Sequence, residues 1–174
     1  MDTGWNLPAP DLPGPVARRK IRTMESSPTA PQMFELPPGD ERLPTAVYGL
    51  LQALRPRLTP EAFGELMREG AQQALKVLTA WDGPDRCVGA ALYRVLATSR
   101  GRVLFVDDLV TAPGARSSGI GAALFAALEA RGRAARCERV ELDSGLANQA
   151  AHRFYYRQRM EASAMHFAKT LEAE

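Results

Sequence analysis

The succession of apolar periodicities predicts an α/β (α+β) chain: a mixed, mainly antiparallel central sheet flanked by helices on both faces. Three observations carry that expectation. Two runs of period two, "ALKVLTAWD" and "CVGAALYRVLAT", flank the turn signal "DGPD" (Asp82 to Asp85) and read as a hairpin. Runs of helical period precede and follow it, giving the order β-α-α-β-β-β-α-β-α-β. Between one such strand and the helix after it stands "RSSGIG" (Arg116 to Gly121), more glycine and serine than a simple turn requires.

Residues 1–32 hold six of the thirteen prolines and few aliphatic side chains, so they read as a flexible arm, within which Met24 is an alternative start. Residues 33–174 read as a single domain. A strand at Met33 to Leu36 opens it. In "ERLPTAVYGLLQALRPRL", Val47, Leu50, Leu51 and Leu54 share one helical face, and "TPEAFGELMREGAQQAL" starts a second helix with a threonine cap and an early proline. After the hairpin, "GRVLFVDDLVT" is a third, more buried strand. The segment following RSSGIG repeats Ile120, Leu124 and Leu128 at helical spacing and is expected to break at Gly132. "RVELDS" reads as a strand, "ANQAAHRFYYRQR" as a helix, and "SAMHFAKTL" as a last strand in which Met165, Phe167 and Lys169 alternate with His166, Ala168 and Thr170.

Several function classes are disfavoured. A net charge of +2, with no basic stripe interleaved with aromatics, argues against nucleic acid, and "ARRK" (Ala17 to Lys20) reads as solvated tail. No apolar run exceeds strand length and the N-terminus lacks the core of a signal peptide, so no membrane role and a cytoplasmic location are expected. Cys87 and Cys137 have no CxxC or His-rich company; they read as packing residues, and no metal is expected.

RSSGIG itself suits an anion. A helix N-terminus offers unpaired N–H groups and partial positive charge, glycines at 119 and 121 admit close approach, and Arg116 adds a forked cation. A P-loop would need Gly-Lys-Ser/Thr and a dinucleotide fingerprint would need GxGxxG; neither is present. Together with its flanks, "VDDLVTAPGARSSGIGAALFAAL" resembles the acetyl-coenzyme A motif of the GNAT family of N-acetyltransferases, with Arg116, Gly119 and Gly121 in register. "NQAAHRFYYRQRM" resembles that family's second signature through Asn148, Ala151, Phe154 and Tyr155. Two positions depart from the pattern: Ser117 stands where glycine is usual, and Arg159-Met160 replaces Gly-Phe.

The resemblance implies that acetyl-CoA is the cosubstrate, its pantetheine arm lying along the backbone of Leu109, Val110 and Thr111 and its pyrophosphate on Arg116, Ser117, Ser118, Gly119, Ile120 and Gly121. Direct transfer to an amine needs a proton acceptor, because an alkylamine with a pKa near ~10.4 is charged at neutral pH. Asp107 is the first candidate and Asp108 the alternative; as neighbours on a strand they are expected on opposite faces. Asn148, His152 and Tyr155, spaced i, i+4 and i+7, share a helix face, with Asn148 on the cofactor arm, His152 bordering the acceptor and Tyr155 as the acid that protonates the departing thiolate. His166 is a weaker candidate, and Phe154 and Tyr156 read as core. No GxSxG nucleophile is present. The function implied is acetyl transfer to a primary amine of a small molecule, with a protein or peptide acceptor, or a silent CoA-binding sensor, as alternatives and a homodimer left open.

Overall fold

The structure, a computed structural model, describes residues 30–171. The proline-rich arm expected up to residue 32 lies outside the described residues except for its last three. Five strands lie side by side in chain order: β1 (Gln32–Leu36), β2 (Lys76–Trp81), β3 (Cys87–Thr98), β4 (Gly101–Thr111) and β5 (Arg139–Leu142). The first four are antiparallel; β5 joins β4 in parallel, because α3 (Ile120–Ala134) carries the chain back along the sheet between them.

Strand alternation divides the core in two. Val77, Leu92 and Val110 point to the face covered by α1 (Tyr48–Leu54) and α2 (Pro60–Gln72), where they meet Val47, Leu50, Leu51 and Phe63. Leu78, Tyr93, Leu104 and Val106 point the other way, onto Ile120, Leu124 and Leu128 of α3. Each such side chain fully withdrawn from water stabilises the fold by roughly 1.5–3 kcal/mol. α1 is entered through one wider turn, Leu43–Val47, and α2 starts where Thr59 accepts a hydrogen bond from the Ala62 amide at 3.2 Å with Pro60 in the first turn. A short turn at Pro113–Ala115 leads to α3, and α4 (Gln149–Arg157) follows β5.

Two expectations are corrected. α3 does not break at Gly132 but runs on to Ala134; the glycine is interior because the helix lies close to the sheet, where a Cβ would stand 3.7 Å from Leu104 and Val140. Beyond its C-cap, Ala135, the chain turns away at Arg136, whose φ is +56°, with the Cys137 amide donating back to the Gly132 carbonyl at 2.8 Å. The final strand at Ser163 to Leu171 is also absent: these residues join no ladder, and all are exposed. Alternation alone cannot make a strand without a neighbour to pair with.

The sheet meets α3 most tightly at Gly89, where a Cβ would lie 2.9 Å from Leu124 Cδ1, 3.0 Å from Ile120 Cγ2 and 3.1 Å from the Val110 carbonyl. Gly89→Ala is expected to lower the unfolding free energy by about 1–3 kcal/mol, read from the shift of a urea denaturation midpoint.

Candidate active site

The β4–β5 ladder has only four residue pairs, from Val103 with Arg139 to Val106 with Leu142. β4 then continues through Asp107–Thr111 with β3 on one edge and no β5 partner on the other, while the chain after Leu142 leaves for α4. The parting has a local cause. Against β3 the register pairs Tyr93 with Val106 but Leu92 with Asp108, so Asp107 is the extra residue of a bulge. A bulge bends its strand and tightens its twist.

That bulge also corrects the expected opposition of the two aspartates. Asp108 lies opposite Leu92, on the α1/α2 face, and Asp107 is held from the same face. Arg94 donates to Asp107 through Nε at 3.1 Å and Nη2 at 2.7 Å, and through Nη1 to Gln73 at the end of α2 at 2.8 Å. Arg55, which follows α1, donates to Asp108 Oδ1 through Nε at 3.1 Å and Nη2 at 2.9 Å. Asp108 Oδ2 has no partner among the described residues. Burial pushes the Asp108 carboxyl above its ordinary value; Arg55 opposes this and the nearby Asp107 charge adds to it.

Tyr155 on α4 belongs to the same neighbourhood. Burial, and then the Asp108 charge, push its phenol up, so the proton stays on Oη at neutral pH. Phe154 beside it packs at the start of α3: a Cβ on Gly121 would stand 3.4 Å from Phe154 Cε2 and 3.8 Å from Thr111 Cγ2. Gly121 thus brings the end of β4, the start of α3 and α4 together. Phe154 stacks edge-on with both Phe125 and Tyr155, at centroid distances of 6.3 and 5.4 Å.

Among the described residues, no acceptor takes the amides of Ser117, Ser118 or Gly119, and nothing pairs with the Arg116 guanidinium. Gly119 precedes the first turn of α3 with φ +86°, and a Cβ there would meet nothing within 4 Å, so the space above it is open. The Ser118 hydroxyl is turned inward onto the Ala115 carbonyl, and Ile120 is anchored in the core beneath. Free amides, a helix N-terminus and an unpaired arginine around open space fit a diphosphate. The Leu109 and Val110 side chains pack into opposite halves of the core, leaving the outer edge of their backbone to the gap.

Other expected residues are placed differently. Asn148 caps α4, its Oδ1 accepting from the Ala151 amide at 3.2 Å, which leaves the side-chain amide nitrogen as its donor. His152 is half-buried on α4, and His166 stands 3.0 Å from Asp143. Cys87 and Cys137 pack at the margins of the two cores, and burial pushes the Cys87 thiol up. Among the described residues there is no His/Cys/Asp/Glu group able to hold a metal, and no helix is long and apolar enough to cross a membrane. Two surface hollows of about 330 and 490 Å³ lie near β1 and α2 and include none of these site residues. Sequence reasoning missed Arg55 and Arg94, whose partners lie 53 and 13 positions away with no pattern linking them.

Residues 45–159 match the model of the Acetyltransferase (GNAT) family. No curated protein matches the chain. Among solved structures, it resembles an aminoglycoside acetyltransferase, meta-AAC0020, from an uncultured soil metagenomic sample, at 20% identity and TM-score 0.68 over 82% of this chain and 97% of the other. It also resembles aminoglycoside N-acetyltransferase AAC(6')-Iy in complex with CoA, at 17% identity and TM-score 0.70 over 84% and 99%. A transcriptional regulator from Bacillus halodurans C-125 is similar at 20% identity and TM-score 0.68 over 81% and 99%.

Both departures from the family pattern carry backbone strain. Ser117 has φ +63° and Arg159 φ +62°, a region that glycine enters freely and other residues enter at roughly 1–2 kcal/mol. Arg159 closes α4, with its amide on the Tyr156 carbonyl at 3.0 Å and the Met160 amide on that of Tyr155 at 3.1 Å, a helix end that favours glycine. Ser117→Gly and Arg159→Gly are each expected to stabilise the ligand-free protein by about 0.5–1 kcal/mol, net of the entropy glycine loses on folding, read as a rise in Tm.

Proposed function

The chain belongs to the acetyltransferase (GNAT) family, and on that premise we propose that it transfers an acetyl group from acetyl-CoA directly to a primary amine of a small molecule. The observation that carries this reading is the parting of β4 from β5 beside a loop of free amides, with a carboxylate and a phenol at its border. Ser117, Ser118, Gly119, Ile120 and Gly121, with Arg116, would hold the diphosphate; Leu109, Val110 and Thr111 would offer backbone to the arm, and Asn148 its amide nitrogen. Acetyl-CoA, when bound, supplies the thioester and a thiolate leaving group.

The chain's own residues handle protons and position. Asp108 is the better base, because Asp107 is clamped by two hydrogen bonds from Arg94, whereas Asp108 keeps Oδ2 free and has a carboxyl raised towards working pH. Oδ2 takes the proton from the amine, directly or through water, while Arg55 fixes the carboxylate through Oδ1. Tyr155 keeps its proton on Oη for the departing sulfur. The similarity to two aminoglycoside acetyltransferases supports a small-molecule acceptor over a peptide. Pairing of two copies is part of the same reading, supported by the lack of any fully buried residue after Gly132 among those described.

Free-thiol release with a panel of amines tests the assignment; binding of acetyl-CoA without release for any amine would indicate a sensor. Tyr155→Phe is expected to lower kcat by roughly 10²-fold while acetyl-CoA affinity by calorimetry stays near wild type. Since the folded Asp108 carboxyl is raised, its base form is lost as pH falls through that raised value. Asp108→Asn should therefore abolish the acidic limb of the kcat/KM profile that Asp107→Asn retains; two identical profiles would remove Asp108 from the role. Gly119→Val should weaken acetyl-CoA binding more than tenfold, and unchanged affinity would count against the cradle.

A further inference from the structure

Arg55 reaches the site from a turn that leaves its backbone little freedom. Its amide donates to the Leu51 carbonyl at 2.7 Å, ending α1, and its carbonyl accepts from the Leu58 amide at 2.9 Å. Pro56 follows, with φ fixed by its ring. Tyr48 on α1 donates through Oη to the Leu58 carbonyl at 3.2 Å, and Gln52 donates to that same Oη at 2.6 Å, so the turn is tied to the helix.

This backbone presents a guanidinium used on one edge. Nε and Nη2 both donate to Asp108 Oδ1, at 3.1 and 2.9 Å, which occupies the side-on edge. The end-on edge, Nη1 with the second N–H of Nη2, has no partner among the described residues, and the side chain is 62% exposed against 14% for Asp108. Arg94 makes the contrast: it takes both oxygens of Asp107, gives Nη1 to Gln73 and is 26% exposed. An ion pair so exposed on its arginine side adds little to folding stability, so stability alone does not account for Arg55. The turn is also positive throughout. Arg57 stands two residues on, exposed and without an ion-pair partner among the described residues, and no acidic residue lies between Arg55 and Pro60. Both carboxylates at the bulge already face arginines, so an acceptor with several positive charges finds no unmatched carboxylate there.

We propose that Arg55 is a specificity-determining residue and that the acceptor is an amine carrying a carboxylate. The end-on edge holds two parallel N–H groups in one plane, spaced for the two oxygens of a carboxylate. Asp108 Oδ2, the oxygen that Arg55 leaves free, is open to the amine. One arginine then fixes the base through one edge and the acceptor's anion through the other, which delivers the amine to Oδ2. The acceptor excludes water from the guanidinium as it binds, and that strengthens the contact. The inference rests on the amine acetylation proposed above and narrows its acceptor.

The test pairs acceptors of equal chain length and opposite distal charge: γ-aminobutyrate against putrescine, and ε-aminocaproate against hexamethylenediamine. With wild-type protein and acetyl-CoA, free-thiol release should give a kcat/KM at least about tenfold higher for each amino acid than for its diamine, and in Arg55→Met that preference should disappear. Loss of folded protein, or a change at the Asp108 carboxyl, acts on both members of a pair alike, so the ratio reads the anion contact. Should Arg55→Met not fold, Arg55→Lys, which keeps the cation and lacks the second edge, is expected to lose the preference too. Equal or better use of the diamines overturns the proposal, as does a preference that survives the substitution. If no amine releases thiol, the transferase reading fails by itself, and calorimetric titration of the same compounds into the protein saturated with CoA still decides this one. Tighter binding of the amino acids, lost in Arg55→Met, supports it, and equal binding overturns it.

Discussion

The site depends on one constraint, the bulge at Asp107 that ends the pairing of β4 with β5. A strand has two hydrogen-bonding edges, and a regular continuation would have closed the outer edge of Leu109 to Thr111 with β5. With one residue inserted, that edge opens onto a gap bounded by the start of α3 and by α4. Everything proposed for the cofactor uses this gap. The same insertion turns both aspartates to the α1/α2 face, where Arg94 and Arg55 meet them. One backbone irregularity thereby creates the space and sets the charge beside it.

The two carboxylates show how different the surroundings of neighbouring identical groups can be. Asp107 shares both oxygens with one guanidinium, whereas Asp108 gives Arg55 a single oxygen and is pushed up by burial. A carboxylate in the first situation is a strut; one in the second can exchange a proton. Tyr155 is tied to Asp108 in turn, because the Asp108 charge helps to keep its phenol protonated. On the opposite border, Ser117 is held at φ +63°, a strained conformation for a residue with a side chain.

Much of this was legible in the sequence. The hairpin around Asp82 to Asp85 and the cap at Thr59 are local signals, and local signals survive folding because they involve only neighbouring residues. The Arg116 to Gly121 turn was readable for the same reason. What was hidden is non-local. Nothing in "VDDLVT" announces a bulge, since an inserted residue is defined by the partner strand, so the faces of Asp107 and Asp108 cannot be read from alternation alone. Gly132 is ambiguous in sequence, because glycine that ends a helix and glycine that lets a helix approach a sheet are written with the same letter. The alternation of Met165 and Phe167 was real, but a strand is a property of two segments, and the described chain provides only one of them.

The most direct measurement is a crystal structure of the protein with acetyl-CoA. The account predicts diphosphate oxygens within hydrogen-bond distance of the amides of residues 117–121, the pantetheine arm against the outer edge of Leu109 to Thr111, and the thioester sulfur within reach of Tyr155 Oη. Acetyl-CoA seated elsewhere on the protein, with the gap between β4 and β5 filled by water alone, would contradict it.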